Sequence, residues 1–280
     1  MRGGAMWRQR VLEVVARLSR VTPGFRGKAR LQRLAQRVAG SDEIEVEIDG
    51  VSWRLDPAEL IQFRLLWDGE HDGHVLRWLK SVAKPGEVVW DVGANIGDIA
   101  LPLAKGGVLV EAFEPSPGVF SRLGEHTRRN PGLTVTARSA GLSDHDGIVR
   151  FYTSAERGNA GIGSLGHAAN TVDEGVEVRV ARGDSLVASG EVAVPQVIKM
   201  DIEGFEPEAL NGLTETIGRA RPLICVESSG YRLRERGLAS DAIISILEKL
   251  DYRVTVLTAS GERPVGRSLD GNVDLVGRPR

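Results

Sequence analysis

The sequence predicts an α/β fold in which a mostly parallel sheet carries helices on both faces. From residue 87 onward, short apolar segments alternate with segments that have helical spacing. Apolar strands that alternate with helices are typical of a parallel sheet covered on both sides. The clearest helical segments are residues 96–105, 117–129 and 240–250. The predicted strands, seven in number, are residues 88–90, 108–113, 133–137, 194–200, 222–227, 252–257 and 272–276.

A β-hairpin is predicted in front of this sheet, over residues 43–56. Ile44, Val46 and Ile48 recur at every second position, so they share one face of the first strand. Asp49-Gly50 follows, and this dipeptide favours a two-residue hairpin turn. Helical patterns continue the chain at residues 57–67 and 73–83.

The first 40 residues are strongly basic, with ten Arg or Lys and a single acid, Glu13. Residues 6–20 have the spacing of an amphipathic helix, and residues 28–38 that of a second one. One interpretation is a helical segment that packs on the core or on a partner subunit. Packing on a partner subunit would make the protein a homo-oligomer. The other is peripheral contact with an anionic membrane surface. We expect three parts: a basic helical extension (1–40), a hairpin and helical cap (41–84), and the sheet domain (85–280).

The composition excludes several classes of protein. The chain has 280 residues, 41% of them hydrophobic, which is enough for a large core. A net charge of −2 gives no indication of nucleic-acid binding. Cys225 is the single cysteine, so a disulfide framework and cysteine-based metal sites are excluded. There is no apolar run of about 18 residues and no signal-peptide core, and we therefore expect a cytoplasmic protein.

A glycine-containing loop follows the first strand, in WDVGANIG (90–97). Gly93 and Gly97 permit a tight turn and close approach of a ligand, and the next helix offers free N–H groups. The pattern Asp-x-Gly-x-x-x-Gly lacks the second glycine of a dinucleotide loop. Asp91, at the strand tip, would repel a pyrophosphate and attract an ammonium group, directly or through a water.

The second strand ends at Glu114, in EAFEPSP (111–117). A carboxylate at this position can accept both hydroxyls of a ribose, and it also suits the N-terminus of the following helix. Asp91 and Glu114 on neighbouring strand tips therefore indicate a ligand with an amine and a ribose. S-adenosylmethionine has both groups, and its carboxylate suits the helix N-terminus.

A cluster of charged residues follows the fourth strand, in VIKMDIEGFE (197–206). If the strand continues, Lys199, Asp201 and Glu203 share one face that opens into the ligand crevice. We expect Lys199 to pair with Asp201 or Glu203. Glu206 precedes Pro207 at the start of the next helix, so we assign it a mainly structural role.

Four ordered motifs resemble the FkbM-type methyltransferases. They are VVWDVGANIG (88–97), AFEPSP (112–117), AGLSDHDG (140–147) and VIKMDIEGFEPEAL (197–210). The resemblance covers roughly residues 50–230 and leaves the first 40 residues uncovered. It implies a class I Rossmann-like methyltransferase fold, S-adenosylmethionine as donor, and O-methylation of a hydroxyl on a sugar, glycolipid or polyketide-type product.

The same resemblance assigns roles to individual residues. It implies that Leu142 and Asp144 meet the adenine of the donor, where the third strand ends. The chain departs from the family at WDGEHDG (67–73), where a Gly-x-Tyr-Glu-like segment is usual, so the resemblance implies no acceptor contacts from this segment. The residues implied for the donor site are Asp91, Gly93, Asn95, Gly97, Glu114, Leu142 and Asp144.

The charged residues after the fourth strand suggest three roles. Methyl transfer from a sulfonium to an alcohol mainly needs positioning and removal of the hydroxyl proton. Asp201 or Glu203 is the candidate base, with Lys199 in the same catalytic group. Alternatively, Asp201, Glu203 and Glu227 hold Mg²⁺, which would orient the acceptor and lower its pKa. The third role is an internal salt-bridge cluster without chemistry.

The leading hypothesis is an S-adenosylmethionine-dependent O-methyltransferase that acts on a small or glycosylated hydroxyl compound. A nicotinamide-dependent dehydrogenase on a similar sheet is an alternative, although Asp91 and the missing glycine disfavour it. The other alternative is a non-catalytic protein that binds partners or lipid on a degenerate methyltransferase fold. Intact Asp91, Gly93, Gly97 and Glu114 disfavour that alternative.

Overall fold

The structure of the protein is a computed structural model. It describes residues 12–20, 30, 43–153, 163–165, 175–266, 269 and 271–280. The helices are α1 (12–20), α2 (Leu60–Asp68), α3 (Gly73–Val82), α4 (Ala100–Ala104), α5 (Pro117–Arg129), α6 (Gly183–Ala188), α7 (Glu206–Asn211), α8 (Thr214–Ala220), α9 (Gly230–Glu235) and α10 (Ala242–Lys249). The strands are β1 (Ile44–Ile48), β2 (Val51–Leu55), β3 (Val88–Val92), β4 (Leu109–Phe113), β5 (Val135–Arg138), β6 (Gly141–Leu142), β7 (Gly147–Thr153), β8 (Gly163–Leu165), β9 (Val176–Ala181), β10 (Val197–Met200), β11 (Leu223–Ser229), β12 (Tyr252–Thr258), β13 (Gly261–Pro264) and β14 (Asn272–Pro279).

The central sheet has the strand order β13-β12-β14-β11-β10-β3-β4-β5. The five strands from β5 to β11 are parallel, and β14 is antiparallel to both of its neighbours. All seven predicted strands are present, and the predicted α/β class is confirmed. The short strand β13, which forms a hairpin with β12, is an eighth strand that the sequence did not predict.

A second, smaller sheet follows β5, in the order β6-β9-β7-β8. β7 is antiparallel to β9 and β8, whereas β6 is parallel to β9. The alternation of strands and helices breaks here because this part of the chain forms antiparallel strands. The sequence analysis did not predict this sheet.

Two hydrophobic clusters cover the two faces of the central sheet. One contains the hairpin, α2 and α3, and includes Val89 of β3. The other is covered by α6 to α10 and includes the next residue, Trp90. Because side chains alternate along a strand, Asp91 points to the same face as Val89, toward the side that carries the hairpin.

The β1–β2 hairpin has the predicted turn and docks on α5. Asp49 and Gly50 have φ of 49° and 74°, as a tight hairpin turn requires. The side chain of Asn130 accepts from the backbone N–H of Ser52 and donates to its carbonyl, both at 2.8 Å. His126 is fully buried, and its Nδ1 lies 2.9 Å from the carbonyl of Ile96 in the glycine loop. The hairpin therefore supports the loop through α5.

The first helix is described over residues 12–20, inside the predicted segment 6–20. Leu12 and Ala16 are buried, whereas Val14 and Leu18 are exposed. The second predicted helix, 28–38, lies outside the described residues apart from residue 30. Membrane contact, oligomerisation and the three-part division of the chain stay predictions. Among the described residues, no helix has the length and apolar character that crossing a bilayer requires.

Strand β10 ends at Met200, so the condition under which Lys199, Asp201 and Glu203 would share one strand face is not met. Glu203 and Gly204 have φ of 60° and 100°, which turns the chain sharply away from the strand. Ile202 lines the crevice beside Glu203, because the turn ends the alternation of faces along the strand.

Replacement of Asn130 by alanine tests how firmly the hairpin is held. Asn130→Ala removes the two bonds to Ser52 and a third to the carbonyl of His126. We expect a loss of about 2–3 kcal/mol in the free energy of unfolding, measured by urea denaturation. The control Asn211→Ala, at the exposed end of α7, should change it by less than about 0.5 kcal/mol. Equal losses in the two variants would contradict this account.

Candidate active site

A cavity of about 310 Å³ lies at the carboxyl ends of the parallel strands. Such crevices are where open α/β sheets bind ligands. The predicted site residues that line it are Gly93, Asn95, Glu114, Leu142, Lys199, Asp201, Glu203 and Glu227. Asp91, Gly97 and Asp144 are not in its lining.

The loop after β3 is held against two neighbouring strand tips. The N–H groups of Gly93 and Ala94 donate to the carbonyl of Phe113, at 3.0 and 2.9 Å. Gly93 has φ of 78°, and a Cβ on it would lie 1.9 Å from the carbonyl oxygen of Asp201. Asn95 also has a positive φ, of 49°. The loop thus needs glycine at position 93 because the segment after β10 passes directly beside it.

Asp91 forms a buried ion pair with Lys199. The two residues are opposite each other in β3 and β10, and Nζ of Lys199 lies 3.1 Å from Oδ1 of Asp91. The same ammonium donates to the carbonyl of Gly93 at 3.0 Å. The expected pairing of Lys199 with Asp201 or Glu203 is therefore wrong. Asp91 lies under the loop and does not line the cavity. It affects the cavity indirectly, because it forms an ion pair with Lys199, which does line it.

Burial sets the protonation of this pair. It raises the pKa of Asp91 to about 6, although the charge of Lys199 opposes the shift. Burial alone would lower the pKa of Lys199, but Asp91, Asp201 and Asp98 outweigh it and raise that pKa above its usual value. Lys199 is therefore a fixed positive charge at neutral pH.

Glu114 lines the cavity at the tip of β4. Its Oε1 accepts from the N–H of Ser116 at 2.8 Å, and its Oε2 accepts from the N–H of Asn95 at 3.1 Å. Burial raises its pKa to about 7, and these two bonds lower it. The carboxyl group is thus held rigidly between the loop and α5, at the wall of the cavity.

Gly97 has a packing role in this structure. It has φ of 91°, and a Cβ on it would lie 3.0 Å from side-chain carbons of Leu101 and Leu123. The residue therefore allows α4 and α5 to pack closely behind the loop. Contact with a ligand is not needed to explain it.

The structure separates Leu142 from Asp144. Leu142 is buried in β6 and lines the cavity. Asp144 is exposed and lies outside, with its Oδ1 2.8 Å from Nδ1 of His145. The expectation that Asp144 meets the donor is not supported, because the chain has already turned away from the cavity after β6.

Three carboxylates that line the cavity form a cluster. Asp201, Glu203 and Glu227 each place an oxygen within 4.8 Å of the others. Glu203 pairs with Nε of Arg232 at 2.8 Å, and Glu227 accepts from the side-chain amide of Asn272 at 3.1 Å. Burial raises the pKa of Glu203 to about 7. Burial and the nearby Asp201 raise the pKa of Glu227 well above its usual value.

Glu206 has the structural role that the sequence indicated. It is buried and accepts from the N–H groups of Ile202 and Gly204, at 2.9 and 3.2 Å. It therefore closes the turn that carries Asp201 and Glu203 to the cavity. Its other oxygen, Oε2, has no hydrogen-bond partner among the described residues.

A family model described as the methyltransferase FkbM domain matches residues 91–254, which is more than half of the chain. The chain belongs to this family. It is an S-adenosylmethionine-dependent methyltransferase, as the sequence predicted. The dehydrogenase alternative is wrong.

Curated relatives agree with this assignment. The chain is 32% identical over 222 residues to the hexuronic acid methyltransferase AglP of Haloferax volcanii, covering 79% of this chain and 87% of AglP. It is 30% identical over 160 residues to the 31-O-demethyl-FK506 methyltransferase FkbM of Streptomyces tacrolimicus, covering 47% of this chain and 61% of that protein. It is 28% identical over 185 residues to the 2-O-methyltransferase NoeI of Sinorhizobium fredii, covering 60% and 74%.

Several residues of this methyltransferase site escaped the sequence analysis. His71 and Asp72, from the loop between α2 and α3, line the cavity together with Asp98, Arg232 and Asn272. Asp98 directly follows Gly97, and this adjacency could have identified it. The departure from the family motif at WDGEHDG marked the loop that carries His71 and Asp72, but no periodic pattern showed that it reaches the cavity.

Alanine variants of two glycines with positive φ distinguish general backbone strain from the close approach of the loop after β3 to Asp201. In Gly93→Ala the new methyl group would collide with the carbonyl of Asp201. We expect binding of S-adenosylhomocysteine, measured by titration calorimetry, to weaken by more than about 10-fold, since a shift of about 1.4 kcal/mol has this effect. Gly86→Ala is the matched control, because Gly86 has φ of 84° and open space around it. Equal affinities in the two variants would contradict the close approach.

Glu206 should make the free energy of unfolding depend on pH. Burial raises its folded-state pKa to about 7 from an ordinary 4.5. The folded protein then holds more protons than the unfolded chain between these values, so stability from this group falls as pH rises. We expect Glu206→Gln to gain about 2 kcal/mol in unfolding free energy relative to wild type between about pH 5 and pH 7.5. Urea denaturation at both pH values measures this gain, with Glu208→Gln as control. If the free energies of unfolding of Glu206→Gln and wild type differ by the same amount at both pH values, the prediction is refuted.

Proposed function

We propose that this methyltransferase transfers the methyl group of S-adenosylmethionine to a hydroxyl of a sugar or sugar-containing acceptor. The observation that carries the proposal is the cavity itself, which is lined both by Glu114 and by the Asp201, Glu203 and Glu227 cluster. This arrangement places acidic hydrogen-bond acceptors beside the donor, where a hydroxyl nucleophile must lie.

In this proposal the donor occupies the loop end of the cavity. Glu114 accepts the ribose hydroxyls with the edge of its carboxylate that faces the cavity. Gly93 and Asn95 lie against the methionine part, and Leu142 provides an apolar wall for the adenine. Asp91 contributes indirectly, because it fixes Lys199 and thereby the carbonyl of Gly93.

The acceptor class is inferred from relatives. AglP methylates a hexuronic acid, according to its name, and NoeI is a 2-O-methyltransferase. A carboxylate cluster can accept hydrogen bonds from neighbouring hydroxyls of a sugar ring, which favours a saccharide over an acceptor with one hydroxyl. Exclusion of nucleic acid from the acceptors stays a prediction.

The second role that we propose for the cluster is to bind a divalent cation. Asp201, Glu203 and Glu227 offer only oxygen ligands, within 4.8 Å of one another, which is the donor set that Mg²⁺ prefers. The metal would orient the acceptor and lower the pKa of its hydroxyl. Calorimetric titration with Mg²⁺, for the wild type and for Glu227→Gln, tests this role without an acceptor. Absence of binding to the wild type would leave the carboxylates as hydrogen-bond acceptors for the sugar.

The donor site is tested with Glu114→Gln, measured at about pH 8, where the wild-type carboxylate is ionised. Loss of a charged acceptor for two hydroxyls should weaken S-adenosylhomocysteine binding roughly 10- to 100-fold in calorimetry. Glu111→Gln is the matched control, on the same strand but outside the cavity, and it should bind normally. Unchanged affinity of Glu114→Gln would remove Glu114 from the donor site.

Methyl transfer is tested with S-adenosylmethionine and p-nitrophenyl β-D-glucuronide, with the corresponding glucoside as second acceptor. Mass spectrometry should show a product heavier by one methylene, and Asp201→Asn should lower the rate by at least about 100-fold if Asp201 binds the reacting hydroxyl. Donor binding without product on either sugar would contradict a saccharide acceptor. It would support the non-catalytic alternative only if other hydroxyl acceptors failed as well.

A further inference from the structure

His71 lies in the loop between α2 and α3 and lines the same cavity as the carboxylate cluster and the loop after β3 (residues 93–99), here called the donor loop. Its Nδ1 lies 3.3 Å from Oδ2 of Asp72 and 3.5 Å from Oδ2 of Asp98. A proton on Nδ1 is favoured by these two carboxylates, which leaves the lone pair of Nε2 as the basic atom of the ring. This is the arrangement of a base that is oriented by a carboxylate.

Asp98 is placed to hold this ring. Only 6% of it is exposed, and it follows Gly97 directly, so it is fixed by the donor loop. His71 comes from the loop between α2 and α3, which precedes β3 in the sequence. The contact between them therefore joins the segment that binds the donor to a segment that the family motifs do not cover. Apo forms of enzymes often show such catalytic contacts slightly too long.

The carboxylates of the cluster are less suited to remove a proton. Glu203 is paired with Arg232, and Glu227 is held by Asn272. Asp201 places a carboxylate oxygen within 4.8 Å of an oxygen of each of them. His71, by contrast, has no cation or amide donor paired with its ring among the described residues, and two carboxylates lie beside its Nδ1.

We propose that His71 is the general base of the reaction and that Asp98 is its positioning residue; this inference rests on the proposed O-methyl transfer. The acceptor oxygen forms a bond to the methyl carbon while the bond from carbon to sulfur breaks and its electron pair stays on sulfur. The hydroxyl proton passes to Nε2 of His71 and then to solvent. The products are the methyl ether, S-adenosylhomocysteine and a proton.

The surroundings of His71 determine its titration. Burial lowers its pKa, but hydrogen bonding and attraction from Asp98, together with the charge of Asp72, outweigh burial and raise it. Arg64 acts in the opposite direction. The rate should therefore fall on the acid side with a midpoint above the ordinary value for histidine, because only the neutral ring accepts the proton.

The first test uses variants of the full chain with S-adenosylmethionine and p-nitrophenyl β-D-glucuronide. His71→Gln should lower kcat by about 100-fold or more and abolish the acid limb of the pH profile, with S-adenosylhomocysteine affinity unchanged. Asp98→Asn should lower kcat less and move the acid limb to lower pH. The exposed His145→Gln is the control and should retain wild-type rates. Added imidazole should restore part of the activity of His71→Gly.

Several outcomes would overturn the inference. A full-rate His71→Gln, or an acid limb that persists in it, would exclude His71 as base. A large loss of S-adenosylhomocysteine affinity in Asp98→Asn, with the pH profile unmoved, would assign Asp98 to the donor instead. If His71→Gln fails to fold, the rescue of His71→Gly by imidazole decides, and absence of rescue in a folded His71→Gly overturns the role.

A second measurement separates failure of this inference from failure of the acceptor assignment. In protein labelled with ¹⁵N-histidine and saturated with S-adenosylhomocysteine, NMR titration reports the tautomer and pKa of His71 without any acceptor. A proton on Nδ1 and a pKa that falls in Asp98→Asn support the dyad even if neither sugar is methylated. The opposite tautomer, or a pKa that Asp98→Asn leaves unchanged, overturns it.

Discussion

The site depends on the buried ion pair between Lys199 and Asp91. Two charges taken out of water are costly unless their geometry is good and their remaining hydrogen bonds are made. Lys199 meets this condition because it also donates to the carbonyl of Gly93. One ammonium thus fixes the tips of β3 and β10 and the first carbonyl of the donor loop. Removal of either partner would leave an uncompensated buried charge, and the loop would lose its support.

More acidic than basic side chains line the cavity. Six carboxyl groups line it, and Lys199 and Arg232 are the permanent cations among its described lining residues. Burial keeps part of this charge neutral, since it raises the pKa of Glu114 and Glu203 to about 7. A sulfonium donor with an ammonium group brings positive charge into such a site and favours ionisation of these carboxyls. The same excess would repel a dinucleotide pyrophosphate, which agrees with membership in a methyltransferase family.

The sequence predicted what depends on local pattern and missed what depends on the packing of distant segments. Strand tips could be predicted because apolar segments end at Asp91 and near Lys199. Their pairing could not, because it depends on β10 lying beside β3. Asp144 does not line the cavity because β6 belongs to the second sheet, and its exposed side chain lies beside His145. His71 gave no periodic signal, and only the fold shows that its loop reaches the cavity.

The cap and the donor loop form one packed unit, and this has a consequence for acceptor choice. His126, held against the hairpin by the N–H of Arg54, contacts the carbonyl of Ile96 in the loop. Asp98, two residues later, meets His71. The loop after β3 is therefore held both by the sheet and by the hairpin, whereas His71 and Asp72 line the cavity from a loop between two helices. Because loops tolerate change better than packed strands, variation in the loop between α2 and α3 would, in the proposed reaction, alter the acceptor while the loop after β3 stays intact.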